Sequence, residues 1–135
     1  MRVLAVVLLS VSVLTVASAE QKIQVRRIFG PEIPGRYKHP ASITELQNGD
    51  LYLAYYGGSG EYAPDTAVYG ARLRKGETSW SAPVVIADTP FRSEGNPVVW
   101  QAPDGLVWLY YVVRYGETWS TSRIQAKISR DGART

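Results

Sequence analysis

The residues able to do chemistry in this chain fall in three short stretches. Arg36, Lys38 and His39 stand together before an extended segment, Glu61 and Asp65 share a polar loop behind Gly57-Gly58-Ser59-Gly60, and Asn96 precedes Pro97. A carboxylic acid in a shaped loop can donate a proton to a leaving oxygen if burial raises its pKa toward neutrality. His39 is the only histidine, the side-chain type most often used to carry a proton. The two cations could draw an anion, and an asparagine amide both donates and accepts hydrogen bonds. The plainer reading makes the same residues surface charges, a loop histidine and a turn cap before an X-Pro strand start.

The surrounding pattern is that of strands. Pro40 to Leu46 reads as extended, Gln47-Asn48-Gly49-Asp50 supplies tight-hairpin chemistry, and Leu51 to Tyr56 returns as an apolar and aromatic strand. Gly57 to Gly60 should break that strand, Glu61 to Asp65 should form a loop, and Thr66 to Arg72 should be a third strand. A turn at Gly76 then leads past Trp80 to a fourth, outer strand at Val84-Val85-Ile86. The order restarts with Pro97 to Gln101, a turn at Ala102-Pro103-Asp104-Gly105, Leu106 to Val113, a loop to Trp119 and Thr121 to Ser129. No mature segment carries helical apolar spacing, so the class is all-β.

The repeat is visible in the residues themselves. Gly49-Asp50-Leu51-Tyr52 and Gly105-Leu106-Val107-Trp108 stand at one spacing, and Pro40 and Pro97 at nearly the same one. Ser129-Arg130-Asp131-Gly132-Ala133-Arg134-Thr135 reads as Ser-x-Asp-x-Gly-x-Thr, and Arg74 to Trp80 is a degenerate copy in which Gly76 matches Gly132 and Ser79 matches Thr135. Such a period in a β-rich chain points to propeller blades, one complete and about three quarters of a second. Asp131 is read as a turn device, its carboxylate accepting backbone N–H groups, and not as catalytic. Because the motif's closing tryptophan would fall at residue 136, the chain is expected to be the opening part of a longer protein, marginally stable alone.

Residues 1–19 carry Arg2, an apolar run and Ala17-Ser18-Ala19, the pattern of a cleavable signal peptide, so a secreted or periplasmic protein is expected. Residues 20–38 read as a lead-in with a short strand at Ile23-Gln24-Val25, and 39–135 as the propeller portion. With no cysteine, stability cannot rest on disulfides. A net charge of +3 made of interspersed Lys, Arg, Asp and Glu gives no nucleic-acid or membrane patch. Gly-x-Gly-x-x-Gly, phosphate-loop and Gly-x-Ser-x-Gly motifs are missing, as is any Cys or His pair for a transition metal; neither cofactor nor metal is expected.

On the Ser129–Thr135 motif, its partner ending in Trp80, Tyr37-Lys38-His39-Pro40, the Tyr56–Asp65 stretch and Gly95-Asn96-Pro97-Val98, the chain resembles the sialidase superfamily, the six-bladed exo-α-sialidase-like propellers with Asp-box repeats. The resemblance runs from about Tyr37 to the end. It implies a glycoside hydrolase acting on a terminal, acidic sugar of a glycan substrate. Glu61 or Asp65 would be the acid/base, Lys38, Arg36 and His39 would orient the anion, and Asn96 would bond sugar hydroxyls. The family's opening element carries an arginine where this chain has Lys38, a point charge that cannot fork onto a carboxylate. Related subfamilies favour a histidine there. The family's Tyr nucleophile, its Glu partner and the other arginines come from later blades. A polysaccharide lyase or other glycosidase using His39, and a noncatalytic glycan-binding propeller, remain the alternatives.

Overall fold

The structure, a computed structural model, describes residues 23–32 and 35–135. The expected signal peptide, residues 1–19, lies outside them. Seven strands follow in order: β1 (Tyr37–Glu45), β2 (Leu51–Gly58), β3 (Ala67–Leu73), β4 (Val84–Ala87), β5 (Ser93–Gln101), β6 (Val107–Arg114) and β7 (Ser122–Ser129), with a 3-10 turn at Trp119–Thr121 before β7. They form two antiparallel sheets in simple sequence order, β1-β2-β3-β4 and β5-β6-β7. This is the all-β arrangement of one four-stranded propeller blade and three strands of the next.

Repeated turn chemistry sets the registers. In the β1–β2 turn the Asn48 Oδ1 accepts the Asp50 N–H at 3.0 Å, and in the β5–β6 turn the Asp104 Oδ1 accepts that of Leu106 at 3.0 Å. The glycines beside them, Gly49 and Gly105, take φ of 84° and 89°, where a Cβ would be strained. Both inner strands are also broken at their proline, with register shifts between His39 and Ala41 in β1 and between Gly95 and Val98 in β5. Proline has no N–H to give to a ladder, so it sits in the extra residue of a bulge. His39 and Asn96, each just before that proline, are thus equivalent positions of the two blades.

The core lies between the sheets. Tyr52, Ala54, Tyr56 and Val68 of the first face Val99, Val107 and Leu109 of the second, with Leu46 and Ala87 closing the cluster. Polar ties run alongside: the Val99 N–H donates to Ser42 Oγ at 3.1 Å, joining the two inner strands, and the Glu94 N–H donates to the Thr66 carbonyl at 3.0 Å. The other face of the first sheet carries the stacked Tyr55 and Tyr69 rings, 5.5 Å apart, with Phe29 of the lead-in 6.0 Å from Tyr55. The far face of the second sheet, with Trp100, Tyr110, Ile124 and Ile128, is exposed.

Two local readings change. Ile23-Gln24-Val25 is not a strand: Ile23 and Val25 are exposed and no neighbouring strand pairs with them. Nor do Gly57 and Gly58 break β2, which runs through both and pairs them with Lys38 and Tyr37. A Cβ on Gly58 would lie 2.7 Å from Thr66 Cα, so the glycine permits close approach of the returning chain.

Candidate functional site

Antiparallel order brings the chemistry-bearing stretches to one end. The start of β1, the β2–β3 loop, the start of β5 and the β6–β7 loop all lie there, and the Asp-box turn after β7 lies at the other.

At the start of β1, His39 is placed directly opposite Tyr56 of β2. Its Nδ1 is 3.3 Å from Tyr56 Oη, and the rings meet edge to face with centroids 6.0 Å apart. Tyr37, two residues earlier on the same face of β1, brings its ring 6.2 Å from that of Tyr56. Tyr56 is 1% exposed. Burial pushes its phenol well above the ordinary tyrosine range, and the Tyr37 phenol and the Glu61 charge add to the rise. The phenol therefore stays neutral and holds one imidazole nitrogen, while His39 itself remains exposed to solvent. An imidazole fixed at Nδ1 offers Nε2 for proton transfer.

The loop bearing Glu61 and Asp65 is fastened residue by residue. Asp65 accepts from Ser59 Oγ at 2.8 Å and from the Ser59 N–H at 3.2 Å. Thr66 Oγ1 donates to the Gly60 carbonyl at 2.6 Å. The Glu61 carbonyl accepts from Ser93 Oγ at 2.8 Å and that of Tyr62 from Arg114 Nη2 at 2.7 Å, both donors belonging to the second sheet. The two carboxylates thereby separate in role. The Ser59 hydrogen bonds hold the Asp65 carboxyl below the usual carboxylate range, as suits a turn-forming anion. Glu61, half-buried and with its charge near Tyr56, has a side chain that accepts no hydrogen bond among the described residues.

Lys38 points its ammonium back at the lead-in, donating to the Pro31 carbonyl at 3.0 Å and to that of Gly35. Arg36, just before β1, is exposed. Asn96 is exposed at the β5 bulge with φ of 46°, a left-handed backbone that asparagine tolerates better than most residues. The structure thus groups His39 with Tyr37, Tyr56 and the Glu61 charge, puts Asn96 at the matching position of the neighbouring inner strand, and turns Lys38 and Asp65 to local structural bonds.

Three participants escaped sequence reasoning. Tyr56 reads as a core strand residue, and only the register shows that its hydroxyl meets His39. Glu94 has no motif: it is 0% exposed, its Oε1 accepts the Thr89 N–H at 2.7 Å, and Oε2 has no partner among the described residues. Burial raises its pKa, opposed by the Thr89 bond and assisted by the Asp88 charge. Arg114 lies in a stretch read as the start of a loop, yet it ends β6. Among the described residues no group of three or more His, Cys, Asp or Glu could hold a metal. A hollow of about 370 Å3 sits at the other end between β4 and β7. Its walls include Val84, Ile86, Leu109 and Ile128, so it is a packing gap between sheets, remote from these residues.

No curated protein matches the sequence. Residues 49–135 match the BNR repeat-like domain family, a match that begins within the first hairpin turn and takes in the second, the Glu61 loop, Asn96 and the Asp-box at Asp131. With the greater part of its length matched and its two sheets arranged as blades, the chain belongs to the BNR repeat-like domain family.

Proposed function

We propose that the chain belongs to a secreted, sialidase-like glycoside hydrolase that removes a terminal acidic sugar from a glycan, with further blades covering the exposed Trp100, Tyr110 and Ile128. The observation that carries this reading is the Glu61 loop: a carboxyl with no hydrogen-bond partner among the described residues, presented at the blade end beside the His39–Tyr56 pair on a backbone tied down at four successive residues. Glu61 in its acid form gives its proton to the glycosidic oxygen as the C–O bond breaks. The resulting carboxylate then takes a proton from the incoming water. Asn96 bonds a sugar hydroxyl, and Arg36 and His39 face the substrate's anion. Asp65 keeps the loop in shape and stays ionised.

Lys38 favours a second reading. Its ammonium is engaged by two lead-in carbonyls, so the first blade offers no forked cation at that position, as befits a propeller that binds an acidic glycan without cleaving it.

The test is the full-length product of the reading frame incubated with sialyllactose. Release of free sialic acid, reduced at least about 100-fold by Glu61→Gln, is the expected result. Retention on an immobilised glycan without turnover supports the second reading, and an unsaturated uronate released from a polyuronate overturns both in favour of a lyase.

A further inference from the structure

We infer that Ser93 and Arg114 are positioning residues for Glu61, so that the acid/base carried by the first blade is aimed by the second. This inference rests on the acid role proposed for Glu61. Ser93 and Arg114 are direct cross-strand partners at the ends of β5 and β6. Each donates to one of two successive loop carbonyls: Ser93 Oγ to Glu61 at 2.8 Å and Arg114 Nη2 to Tyr62 at 2.7 Å. The Arg114 guanidinium also lies 4.6 Å from the Tyr62 ring centre, and Trp119 meets that ring edge-on at 5.4 Å. Arg114 Nη1 is held by the Gly116 carbonyl at 2.6 Å, which fixes the fork from behind.

The two halves of the loop are therefore secured differently. Ser59 and Gly60 are bonded within their own blade by Asp65 and Thr66, whereas Glu61 and Tyr62, among the described residues, have their carbonyls bonded across the blade boundary. Ser93 is 2% exposed, so water does not compete for its hydroxyl. Two adjacent carbonyls pinned by neighbouring donors leave the Glu61 Cα little freedom to swing. A general acid must hold its carboxyl within hydrogen-bond reach of the leaving oxygen, and a misplacement of about 1 Å can cost around 100-fold.

Weakened acid assistance has a signature that general destabilisation lacks: it slows substrates with basic leaving groups and spares those whose leaving group departs unaided. Ser93→Ala and Arg114→Lys in the full-length protein are therefore to be compared with Glu61→Gln on an alkyl and a 4-nitrophenyl sialoside. The expected result is a kcat about tenfold lower on the alkyl glycoside, under threefold lower on the nitrophenyl glycoside, with KM little changed. Amide hydrogen exchange should become faster at residues 60–63 and stay unchanged in β2. Equal losses on both substrates, or no loss with Glu61→Gln impaired, overturn the positioning role alone. Undiminished turnover of Glu61→Gln on the alkyl glycoside overturns the acid reading and this inference with it.

Discussion

The guanidinium of Arg72, on β3 of the first blade, donates to the carbonyl oxygen of Ala133 in the Asp-box turn of the second at 2.9 Å. The same Nη2 bonds the Gly132 carbonyl, Nη1 pairs with Asp50 Oδ2 at 2.9 Å, and the cation lies 5.2 Å from the Tyr52 ring centre. Asp50 in turn accepts the Lys75 N–H at 2.9 Å, so one arginine joins two turns of the first blade to the repeat motif of the next. At the end of the molecule away from Glu61, Arg72 shares blade docking with Gln47, whose N–H donates to Gln101 Oε1 at 2.6 Å, and with Lys127, whose ammonium donates to the Ile86 carbonyl at 2.8 Å. Arg72→Met should lower the melting temperature by roughly 5–10 °C through the unpaired Asp50 and the two orphaned carbonyls. Thermal denaturation followed by circular dichroism measures this, and a change within about 1–2 °C would show that the blades dock without help from Arg72.

Acid should undo these turns. Asp50, Asp65 and Asp131 all have carboxyls held below their ordinary value, by the Lys75 backbone, by Ser59, and by Ser129 with Thr135. A pKa lower in the folded than in the unfolded chain gives stability that is complete above the unfolded value of 3.8 and disappears as pH falls through the folded ones. The melting temperature is therefore expected to be flat with respect to these groups above about pH 5 and to fall steadily below about pH 4. Asp131→Asn should flatten that acid limb while leaving any catalytic rate of the full-length protein intact. An unchanged limb would remove Asp131 from its role as the turn's anion.

Glu94 carries the opposite sign. Its carboxyl is raised by burial, so the stability associated with it is complete below the unfolded value of 4.5 and is lost as pH rises through the folded one. Glu94→Gln keeps an oxygen to accept the Thr89 N–H and removes the buried charge. The variant should match the parent near pH 4 and become relatively more stable toward pH 8, read from denaturant midpoints at each pH. A difference that stays constant with pH would mean that Glu94 does not titrate across this range in the folded chain.

Asn96 combines a backbone demand with a chemical one, and substitution separates them. At φ of 46° alanine is strained by about 1 kcal/mol or more and glycine is not. Asn96→Gly should therefore hold its denaturation midpoint and Asn96→Ala lose stability, while both lose glycan affinity if the amide bonds a sugar hydroxyl. Equal stability of the two variants would show that the left-handed backbone at the bulge exerts no selection.

Strand order, the hairpin turns and the repeat were legible because each rests on local chemistry: Asn48-Gly49 and Asp104-Gly105 form the turns their residues demand, and the degenerate Gly76 takes a φ of 83° beside 70° at Gly132. The candidate site was legible by residue and not by relation. Nothing in the spacing of Tyr37, His39 and Tyr56 reveals that they meet, because the contact depends on a register carrying a bulge at Pro40. Glu61 and Asp65 look alike as loop acids until Ser59 is seen to hold one of them. Lys38 reads as a substrate cation because its carbonyl partners, Pro31 and Gly35, come from a lead-in with no pattern of its own. Ser93 and Arg114 act across blades, where sequence distance conveys nothing.

The His39–Tyr56 contact makes a prediction that does not depend on which glycan is bound. Tyr56 Oη lies 3.3 Å from Nδ1, and its phenol is kept neutral by burial, so whichever group donates, the hydrogen bond fixes one imidazole tautomer. Tyr56→Phe preserves the ring that packs against Tyr37 and removes only the hydroxyl. Because the chain has a single histidine, the ring nitrogens give one resolvable pair of 15N resonances. Recorded at a pH that keeps the imidazole neutral, the parent should show two well-separated shifts, one of a protonated and one of an unprotonated nitrogen, and the variant should show averaged values as the tautomers interchange. If both proteins give the same pair, another group sets the tautomer and Tyr56 serves His39 only by packing. If the variant averages and the full-length protein turns over the proposed substrate at the parent's rate, His39 is oriented by Tyr56 without taking part in proton transfer.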